Sequence, residues 1–448
     1  MPKLFTPTAP RWGWLPVTAA AVALTACNPS SALDITDPDV LNISDFNSPA
    51  GAGPVRLGVL QDFAVVFSGT IDGVVVSSGN MADEIYSTDT FDDRLFPNQR
   101  TTNEQLAAVE NTYRNLHRVR SGASRVVPIL EEFAPSAPAN IAEIYAIRGY
   151  SEMFFAELYC SGVPFSSEDT PGTPLTTTEM LETAVASFDS ALALAGTDAK
   201  VRPLAQIGRA RALLNLNRAS DAATAVSGVA TTYKYETFHS QASGRQENGI
   251  WNAISVSAPR YSLYAQEKNV LFLRTPADPR VPWATTTRSG FNSIHRNIPD
   301  QRKYTRAGSV KLADGVEARL IELEARLRGG TQGDRQAVYD GLNALRGQWE
   351  ALGYTTEIPA LSGPVPTTQD AAVDLLFEER ALWMWLTGHR LGDLRRLIRQ
   401  YGRTADNTFP SGPLPAPFAG TYGSDVNFTI PAAERNNPNF AGCIDRDA

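Results

Sequence analysis

Apolar residues recur every three or four positions along much of this chain. The pattern holds over residues 101–133, 140–159, 178–195 and 204–229, and prolines lie at the joins between these segments. This spacing places the apolar side chains on one face of a helix, and a proline at a helix boundary removes no N–H donor that the helix needs. The pattern predicts a mainly α protein.

The segment Leu204–Val229 predicts a particular kind of helix pair. Gly208 and Ala210 allow two helices to approach closely, and the stretch Asn217–Ser220 predicts a turn before a second helix. Small and large residues alternating across a short turn resemble a tetratricopeptide hairpin, which buries its apolar faces by stacking on its neighbours. Residues 315–349 predict a second such pair. We therefore expect tetratricopeptide-like helical hairpins over about residues 101–230 and 313–400.

An irregular insertion separates these two helical parts. Residues 232–312 are rich in Ser, Asn, Arg, Pro and aromatic residues and have little periodicity. Long irregular segments are uncommon in compact proteins, and those that occur often form binding loops. We expect this insertion to form a loop-rich, ligand-binding half of the protein.

The first 26 residues have the pattern of a secretory signal peptide. Lys3 and Arg11 accompany an apolar run, Trp14 to Ala26, that is shorter than the roughly 20 residues a membrane span needs. Cys27 follows directly after small residues, where a lipoprotein precursor carries its lipidated cysteine. We predict lipidation at Cys27, against the alternative of an ordinary secretory peptide with a cysteine there by chance.

Beyond the signal peptide, the sequence predicts a tether and one domain. Residues 27–55 are rich in Pro, Ser, Asp, Asn and Gly, which predicts a lipidated tether with little structure of its own. Residues 56–448 then form a single domain. No segment after the signal peptide is predicted to be long and apolar enough to cross a membrane, so lipid is the only predicted anchor.

Charge and motifs exclude several classes of function. The formal net charge of -8 argues against nucleic acid, because phosphate binding needs clustered Lys and Arg. The chain has no HExxH, CxxC or P-loop motif, and its four His residues are scattered. We expect no metal centre and no cofactor, and the sequence leaves bound calcium open.

Three cysteines form an odd set. If Cys27 carries lipid, Cys160 and Cys443 remain in an oxidising compartment, where they can form a disulfide. Such a bond would tie the C-terminal segment to the first third of the domain. Two separate buried thiols are the alternative.

Several motifs from residue 148 onward resemble those of the SusD/RagB family of nutrient-binding lipoproteins. The similarity runs in the expected order and covers most of the chain after the lipidation site. Its parts are Arg148-Gly149-Tyr150 with Gly162-Val163-Pro164, Asp278-Pro279-Arg280, Glu317 to Ala325, Glu378-Glu379-Arg380, Gly388-His389-Arg390, Asp393 to Arg396, and Phe428-Thr429-Ile430-Pro431 followed by Glu434 and Asn437-Pro438-Asn439. The resemblance implies a SusD-like fold of four tetratricopeptide-like hairpins with an irregular binding half.

The resemblance also implies a function and a partner. Such proteins are lipid-anchored in the outer membrane beside a SusC-like TonB-dependent barrel, and they capture a glycan, or a peptide in the RagB branch, for import. They are not enzymes. In this chain Asn28-Pro29-Ser30-Ser31 replaces the acidic run associated with surface export, so the expectation of a cell-surface location rests on the family alone.

The charged block at residues 378–396 predicts a structural clasp and no catalytic site. Glu379, Arg380, His389 and Asp393 stand at helical spacings, so they can form ion pairs along and between helices. Arginine side chains can also bind carboxylates with both ends of the guanidinium. We expect this block to hold helices together.

Aromatic residues are the better candidates for ligand binding. The apolar face of a sugar ring stacks on aromatic side chains, and its hydroxyls bind polar groups. We therefore predict ligand contacts from Tyr86 and Phe91 in the early segment and from Trp251 and Trp283 in the insertion.

Two other functions compete with capture for import. One is a tetratricopeptide-type scaffold lipoprotein that assembles envelope proteins and binds no small ligand. The other is a helical glycoside hydrolase. The aromatic-rich insertion favours capture, because a bare scaffold does not need it.

Overall fold

Helices form two groups along the chain, before and after a segment of loops and short strands. The computed structural model describes residues 46–448 except positions 83, 168, 269 and 417. The predicted signal peptide, the predicted lipidation site Cys27 and the tether up to residue 45 lie outside the described residues. The helices are α1 (Pro49–Ala64), α2 (Val74–Met81), α3 (Asp92–Asn98), α4 (Ala107–Phe133), α5 (Pro138–Leu158), α6 (Thr177–Ala195), α7 (Val201–Asn215), α8 (Ala219–Val226), α9 (Gly249–Ile254), α10 (Gly315–Leu327), α11 (Gln332–Gly347), α12 (Gln369–Trp383), α13 (Arg390–Tyr401) and α14 (Ala405–Thr408). The mainly α prediction is confirmed.

The first helix begins inside the segment predicted to be a tether. The Ser48 side-chain oxygen accepts a hydrogen bond from the Gly51 N–H and caps α1. Pro49 occupies the first turn, where its missing N–H costs no helical hydrogen bond. The predicted boundary at residue 55 is therefore too late, because a stretch of Ser, Pro and Gly suits a helix start as well as a tether.

One helical stretch, Pro49–Met81, is long and apolar enough by length and composition to cross a membrane. The sequence analysis expected no such segment after the signal peptide. In the structure 61% of its most apolar window is buried inside the protein. A core helix is apolar on most sides for the same reason as a membrane span, since both are surrounded by apolar groups.

Consecutive helices pack in pairs to form the scaffold. α5 packs against α4 and α6, α6 packs against α7, and α7 packs against α8. After the irregular segment, α10 packs against α11 and α12 and also contacts α8. The two helix groups therefore share one scaffold, as the hairpin patterns predict.

A small residue brings three of these helices together. Gly208 on α7 faces Phe188 on α6 so closely that a Cβ atom there would lie 2.4 Å from the Phe188 ring. Phe188 and Tyr150 on α5 are fully buried and pack edge to face, with ring centroids 5.1 Å apart. The Tyr150 hydroxyl donates to the Leu204 carbonyl oxygen at 3.2 Å. The close approach predicted at Gly208 is confirmed.

The irregular half contains only short elements. The strands of the described chain are β1 (Ile85–Ser87), β2 (Val163–Pro164), β3 (Pro174–Leu175), β4 (Lys234–Thr237), β5 (Tyr261–Leu263), β6 (Gln266–Glu267), β7 (Val270–Leu271), β8 (Trp283–Ala284), β9 (Asp300–Gln301) and β10 (Val310–Asp314). They form two-stranded antiparallel pairs. β4 pairs with β10 and brings both ends of the irregular segment together, and β1 pairs with β5 and ties the early segment to it.

Charged residues of α12 and α13 form a buried network of ion pairs. The Asp393 carboxylate accepts hydrogen bonds from the guanidinium groups of Arg380 and Arg396, at 2.9 Å from each. Arg396 also donates to both carboxylate oxygens of Glu324 on α10, at 3.0 Å. Burial disfavours the charged form of Asp393, but the two arginines outweigh it and lower the pKa of this carboxyl. The charged block is a clasp between helices, as predicted.

The Asp278-Pro279-Arg280 turn is fastened to the same helices. The Asp278 carboxylate accepts from the Arg280 backbone N–H at 2.9 Å, and Arg280 donates to Glu379 on α12 at 2.8 Å. Arg346 on α11 donates to the same Glu379 carboxylate at 3.0 Å. This shared carboxylate joins the irregular half to the scaffold.

A disulfide joins Cys160, just after α5, to Cys443, with their Cα atoms 5.8 Å apart. Backbone hydrogen bonds hold the same two segments together. The Cys160 N–H donates to the Phe428 carbonyl at 2.9 Å, and the Ile444 N–H donates to the Ser161 carbonyl at 2.8 Å. Residues 428–444 are thus fixed against the end of α5.

Candidate functional site

A cavity of about 390 Å³ lies where β1, β5 and two loops of the irregular half meet. Its wall is mostly aromatic and apolar, and we call it the aromatic cavity. The lining residues are Tyr86, Leu263, Tyr264, Ala265, Leu273, His295, Pro299, Pro415, Ala416 and Phe418. The volume lies within the range of roughly 300–1,000 Å³ that is common for small-molecule sites.

Strand pairing places Tyr86 in this wall. Tyr86 on β1 lies opposite Ser262 on β5, and Tyr264 follows that strand directly. The Tyr86 and Tyr264 rings pack edge to face, with centroids 5.3 Å apart. Burial raises the pKa of the Tyr86 phenol, so its hydroxyl stays protonated at neutral pH. Of the four residues predicted to bind ligand, Tyr86 is the one that lines the aromatic cavity.

A hairpin loop adds an imidazole to the wall. The loop is closed by a bridge between Ser289 and Arg296, and it carries His295 to a centroid distance of 5.2 Å from the Tyr86 ring. The Asn292 side-chain amide lies 2.9 Å from His295 Nδ1. Burial lowers the pKa of His295, so the ring is neutral at pH 7. It therefore presents an uncharged ring to the cavity.

A second loop closes the other side. Phe418 lies in a turn where the Leu414 N–H donates to the Gly420 carbonyl at 3.0 Å, and its ring centroid is 5.0 Å from that of His295. The hydroxyls of Tyr264 and Tyr422 are 3.1 Å apart. This contact links the loop to β5 and places two hydroxyls near the aromatic rings.

The chemistry of this wall suits binding. Its described lining residues include no Asp, Glu, Lys or Arg. Among the described residues of its wall, the cavity therefore has no pair of carboxyl groups of the kind that glycoside hydrolysis uses. Aromatic faces with nearby hydroxyls match a ligand that has apolar faces and hydroxyl edges, as a sugar ring does. Across the described residues, no three His, Cys, Asp or Glu side chains are grouped so that they could hold a metal ion.

Phe91 does not line the cavity. It follows Tyr86 by five residues and lies on the protein surface. It is 53% exposed, and the Arg260 guanidinium lies 5.5 Å from its ring centroid and 4.0 Å from that of Phe291. Arg260 also donates to both carboxylate oxygens of Asp89, at 2.8 Å. The segments that carry Tyr86 and His295 into the cavity also carry Phe91 and Phe291 to this surface.

The two tryptophans are placed elsewhere. Trp251 on α9 is half-buried, with the Arg306 guanidinium 5.6 Å from its ring centroid. The Trp283 indole N–H donates to the Arg274 carbonyl at 3.2 Å. Neither lines the aromatic cavity. Their predicted role in ligand binding, like that of Phe91, stays a prediction.

Sequence reasoning missed four residues of this site, Tyr264, His295, Phe418 and Tyr422. Tyr264 lies in the aromatic-rich insertion, from which the sequence analysis selects only Trp251 and Trp283. Phe418 and Tyr422 lie in a loop rich in Pro and Gly. Their position in a long loop was the available signal, since such loops often carry function.

Comparison with known proteins identifies the fold. No family model and no curated relative matches the sequence. Solved structures do match over nearly the whole described chain. A SusD superfamily protein from Bacteroides vulgatus has a TM-score of 0.62 at 13% identity, covering 89% of this chain and 99% of its own. NanU from Bacteroides fragilis has a TM-score of 0.64 at 11% identity, covering 92% of this chain and 100% of its own.

A laminarin-binding SusD-like protein matches in the same way, with a TM-score of 0.63 at 14% identity over 88% of this chain and 99% of its own. At these identities the similarity shows the fold alone, and it does not identify a ligand of this chain. The helix pairs, the irregular half and this agreement lead to one conclusion: the chain has the SusD fold.

Proposed function

We propose that this protein is an outer-membrane lipoprotein that captures an extracellular glycan and delivers it to a SusC-like TonB-dependent transporter. The observation that carries the proposal is the aromatic cavity, which offers uncharged rings and phenol hydroxyls within one wall. A rigid helical scaffold with a ring-lined cavity on its irregular half suits capture. In this proposal the protein performs no catalysis.

Two observations favour a glycan over the peptide that the RagB branch would suggest. The cavity wall has flat rings for the C–H faces of sugars and no charged side chain among its described residues for peptide termini. Among the solved structures of the same fold, one is described as laminarin-binding and another, from Bacteroides vulgatus, as a SusD-like carbohydrate-binding protein.

The capture proposal is tested by titrating neutral oligosaccharides, including laminari- and malto-oligosaccharides, into the full chain by calorimetry. We expect at least one series to bind. Tyr264→Ala and Phe418→Ala should each weaken that binding by about twofold to tenfold, because a ring contact contributes on the order of 0.5–1.5 kcal/mol beyond the area it buries. Trp251→Ala and Trp283→Ala serve as matched controls that remove larger rings outside the cavity.

Three outcomes would contradict the proposal. Binding of no oligosaccharide would contradict glycan capture, and if peptides titrated in the same way do not bind either, the scaffold alternative is favoured. Release of shorter sugars during incubation would favour the glycoside hydrolase. Loss of binding in the tryptophan variants alone would show that the ligand binds at Trp251 and Trp283, outside the aromatic cavity.

The anchor and the partner are tested in cells. The wild-type chain should label with a radioactive fatty acid and sediment with outer membranes, whereas Cys27→Ala should do neither. A tagged wild-type chain extracted in mild detergent should carry a TonB-dependent barrel with it. Elution with envelope assembly proteins and no barrel would contradict delivery to a transporter.

A further inference from the structure

A groove of about 400 Å³ lies between α1 and β4, and we call it the α1–β4 groove. It shares no lining residue with the aromatic cavity. Its wall is mostly apolar, and among the described residues it includes one acidic and one basic side chain. The lining residues are Leu57, Leu60, Gln61, Phe63, Ala64, Ile147, Lys200, Tyr235, Glu236, Thr237 and Phe238.

The groove follows one edge of β4. Side chains alternate along a strand, and accordingly Tyr235 and Thr237 are buried on one face while Phe238 is exposed on the other. A groove lined by four consecutive residues, 235–238, touches both faces and must therefore run along the edge between them. No residue of β10 lines it. The groove thus follows the edge of β4 that faces away from β10.

This edge carries backbone groups that the protein leaves unused. In an antiparallel pair, every second residue of a strand directs its N–H and C=O away from the partner strand. Across the described residues, the backbone of Lys234–Thr237 forms hydrogen bonds only within the pair with β10. An open row of donors and acceptors is a template to which another extended chain can add.

The charges around this edge leave it accessible. A lysine often protects an edge strand, but Lys234 does not line the groove, because its ammonium donates to the Leu352 carbonyl at 3.3 Å. Lys200 in the groove wall forms an ion pair with Glu143 at 2.8 Å. The wall therefore offers no unpaired cation for the carboxylate of a peptide C-terminus, and an internal segment of a chain fits it better.

Apolar side chains are exposed on both sides of the groove. Leu57 on α1 is 59% exposed, and Phe238, directly after β4, is 72% exposed. A strand lying between them would cover both, and the burial of apolar surface would favour its binding. Because α1 forms the opposite wall, the β4 edge of a second folded copy could enter only together with its own α1. A loose segment meets no such obstacle.

We propose that the α1–β4 groove binds an extended internal segment of a partner protein, which adds to β4 as a third strand. The unused backbone edge recognises the extended main chain, and Leu57 and Phe238 recognise alternate apolar side chains. The inference does not depend on the aromatic cavity or on glycan capture.

The test uses a synthetic peptide of alternating threonine and valine with a lysine at each end, acetylated, amidated and labelled with fluorescein. We expect it to bind the full chain saturably in fluorescence anisotropy. The same peptide with two central valines replaced by proline should bind at least about tenfold more weakly, because proline has no N–H to donate to the edge. Hydrogen exchange measured by mass spectrometry should show added protection at residues 234–238 when the first peptide is bound, and none at β7.

Surface variants test the groove without disturbing the core. Leu57→Ser and Phe238→Ser should each weaken peptide binding by about threefold to tenfold, because each removes apolar surface that the bound strand covers. Ile294→Ser is the matched control, since Ile294 is 63% exposed and lies outside the groove. It should leave peptide binding unchanged. All three variants should keep the wild-type midpoint of thermal unfolding, and Tyr264→Ala should not alter peptide binding.

Four results would overturn the proposal. They are no binding of the first peptide at millimolar concentration, equal binding of the proline peptide, and binding unaffected by both Leu57→Ser and Phe238→Ser. The fourth is tighter binding of a peptide with free termini, which would indicate capture of a peptide end. A dimer that Phe238→Ser abolishes would assign the groove to a second copy of the chain and would equally contradict the inference.

Discussion

Asp393 is a carboxylate that stays charged inside the protein because two guanidinium groups contact it. Asp393, Arg380 and Arg396 are each no more than 2% exposed. Replacing Asp393 by Asn would leave both arginines with less negative charge around them. We expect Asp393→Asn to lower the free energy of unfolding by about 3–5 kcal/mol, as measured by urea denaturation.

Asp374 provides the control for this substitution, because its ion pair with Arg403 lies at the surface. The side chains are 48% and 20% exposed, respectively, and the two atoms are 2.9 Å apart. Asp374→Asn should change the free energy of unfolding by about 1 kcal/mol at most. Equal losses in the two variants would mean that the buried network contributes no more than a surface pair.

The same residue predicts a pH dependence. The pKa of Asp393 is lowered in the folded protein, because Arg380 and Arg396 outweigh the effect of burial. As the pH falls, the Asp393 carboxyl is therefore protonated at a higher pH in the unfolded chain than in the folded protein. The stabilisation is complete above the ordinary carboxyl pKa of about 4 and is lost as the pH falls toward the lowered folded value. We expect the free energy of unfolding to fall less steeply between about pH 5 and pH 2 in Asp393→Asn than in the wild type.

Among the elements, the packing of α5, α6 and α7 depends on the absence of a side chain at Gly208. A methyl group there would lie 2.4 Å from the Phe188 ring and 2.9 Å from the Tyr150 ring, and these two buried rings pack against each other. We expect Gly208→Ala to destabilise the protein by about 1–3 kcal/mol, because overpacking outweighs the gain in helix propensity. The midpoint of thermal unfolding measures this loss.

Gly58 on α1 is the matched control. It is also a glycine inside a helix, but nothing lies within 4 Å of an added Cβ. Gly58→Ala should raise stability by up to about 1 kcal/mol through helix propensity alone. A gain in both variants would show that the three helices can separate slightly without loss.

The helices were predictable from sequence because their signals are local. Gly208 and its apolar neighbours lie within a few turns of each other, so periodicity and residue size predicted the hairpin. The aromatic cavity differs, because Tyr86, Tyr264, His295 and Phe418 come from segments far apart in sequence. Which rings meet there depends on the register of three-residue strands, and such short strands have no periodicity to read. Trp283 has a comparable aromatic ring, and no local signal in the sequence separates it from the rings that line the cavity.

At the scale of the whole molecule, the disulfide between Cys160 and Cys443 spans 283 residues. It restricts the unfolded chain over most of the domain. We expect Cys160→Ser with Cys443→Ser to lower the free energy of unfolding by about 2–5 kcal/mol, with far-UV circular dichroism unchanged. The backbone hydrogen bonds between the two segments remain in that variant. A loss of helical circular dichroism signal in this variant would mean that the disulfide is needed to form α5 itself.

The contact between α5 and residues 428–444 also sets an order for maturation. If the protein is exported as we propose, the chain crosses the membrane from its N-terminus, and Cys160 emerges well before Cys443. During that interval the backbone groups just after α5 lack their native partners, and the Cys160 thiol is open to oxidants and to cysteines of other proteins. Under that proposal, correct assembly requires that the chain be exported unfolded. It also requires that the Cys160–Cys443 disulfide form only after Cys443 has crossed the membrane, or that an isomerase replace any earlier disulfide of Cys160.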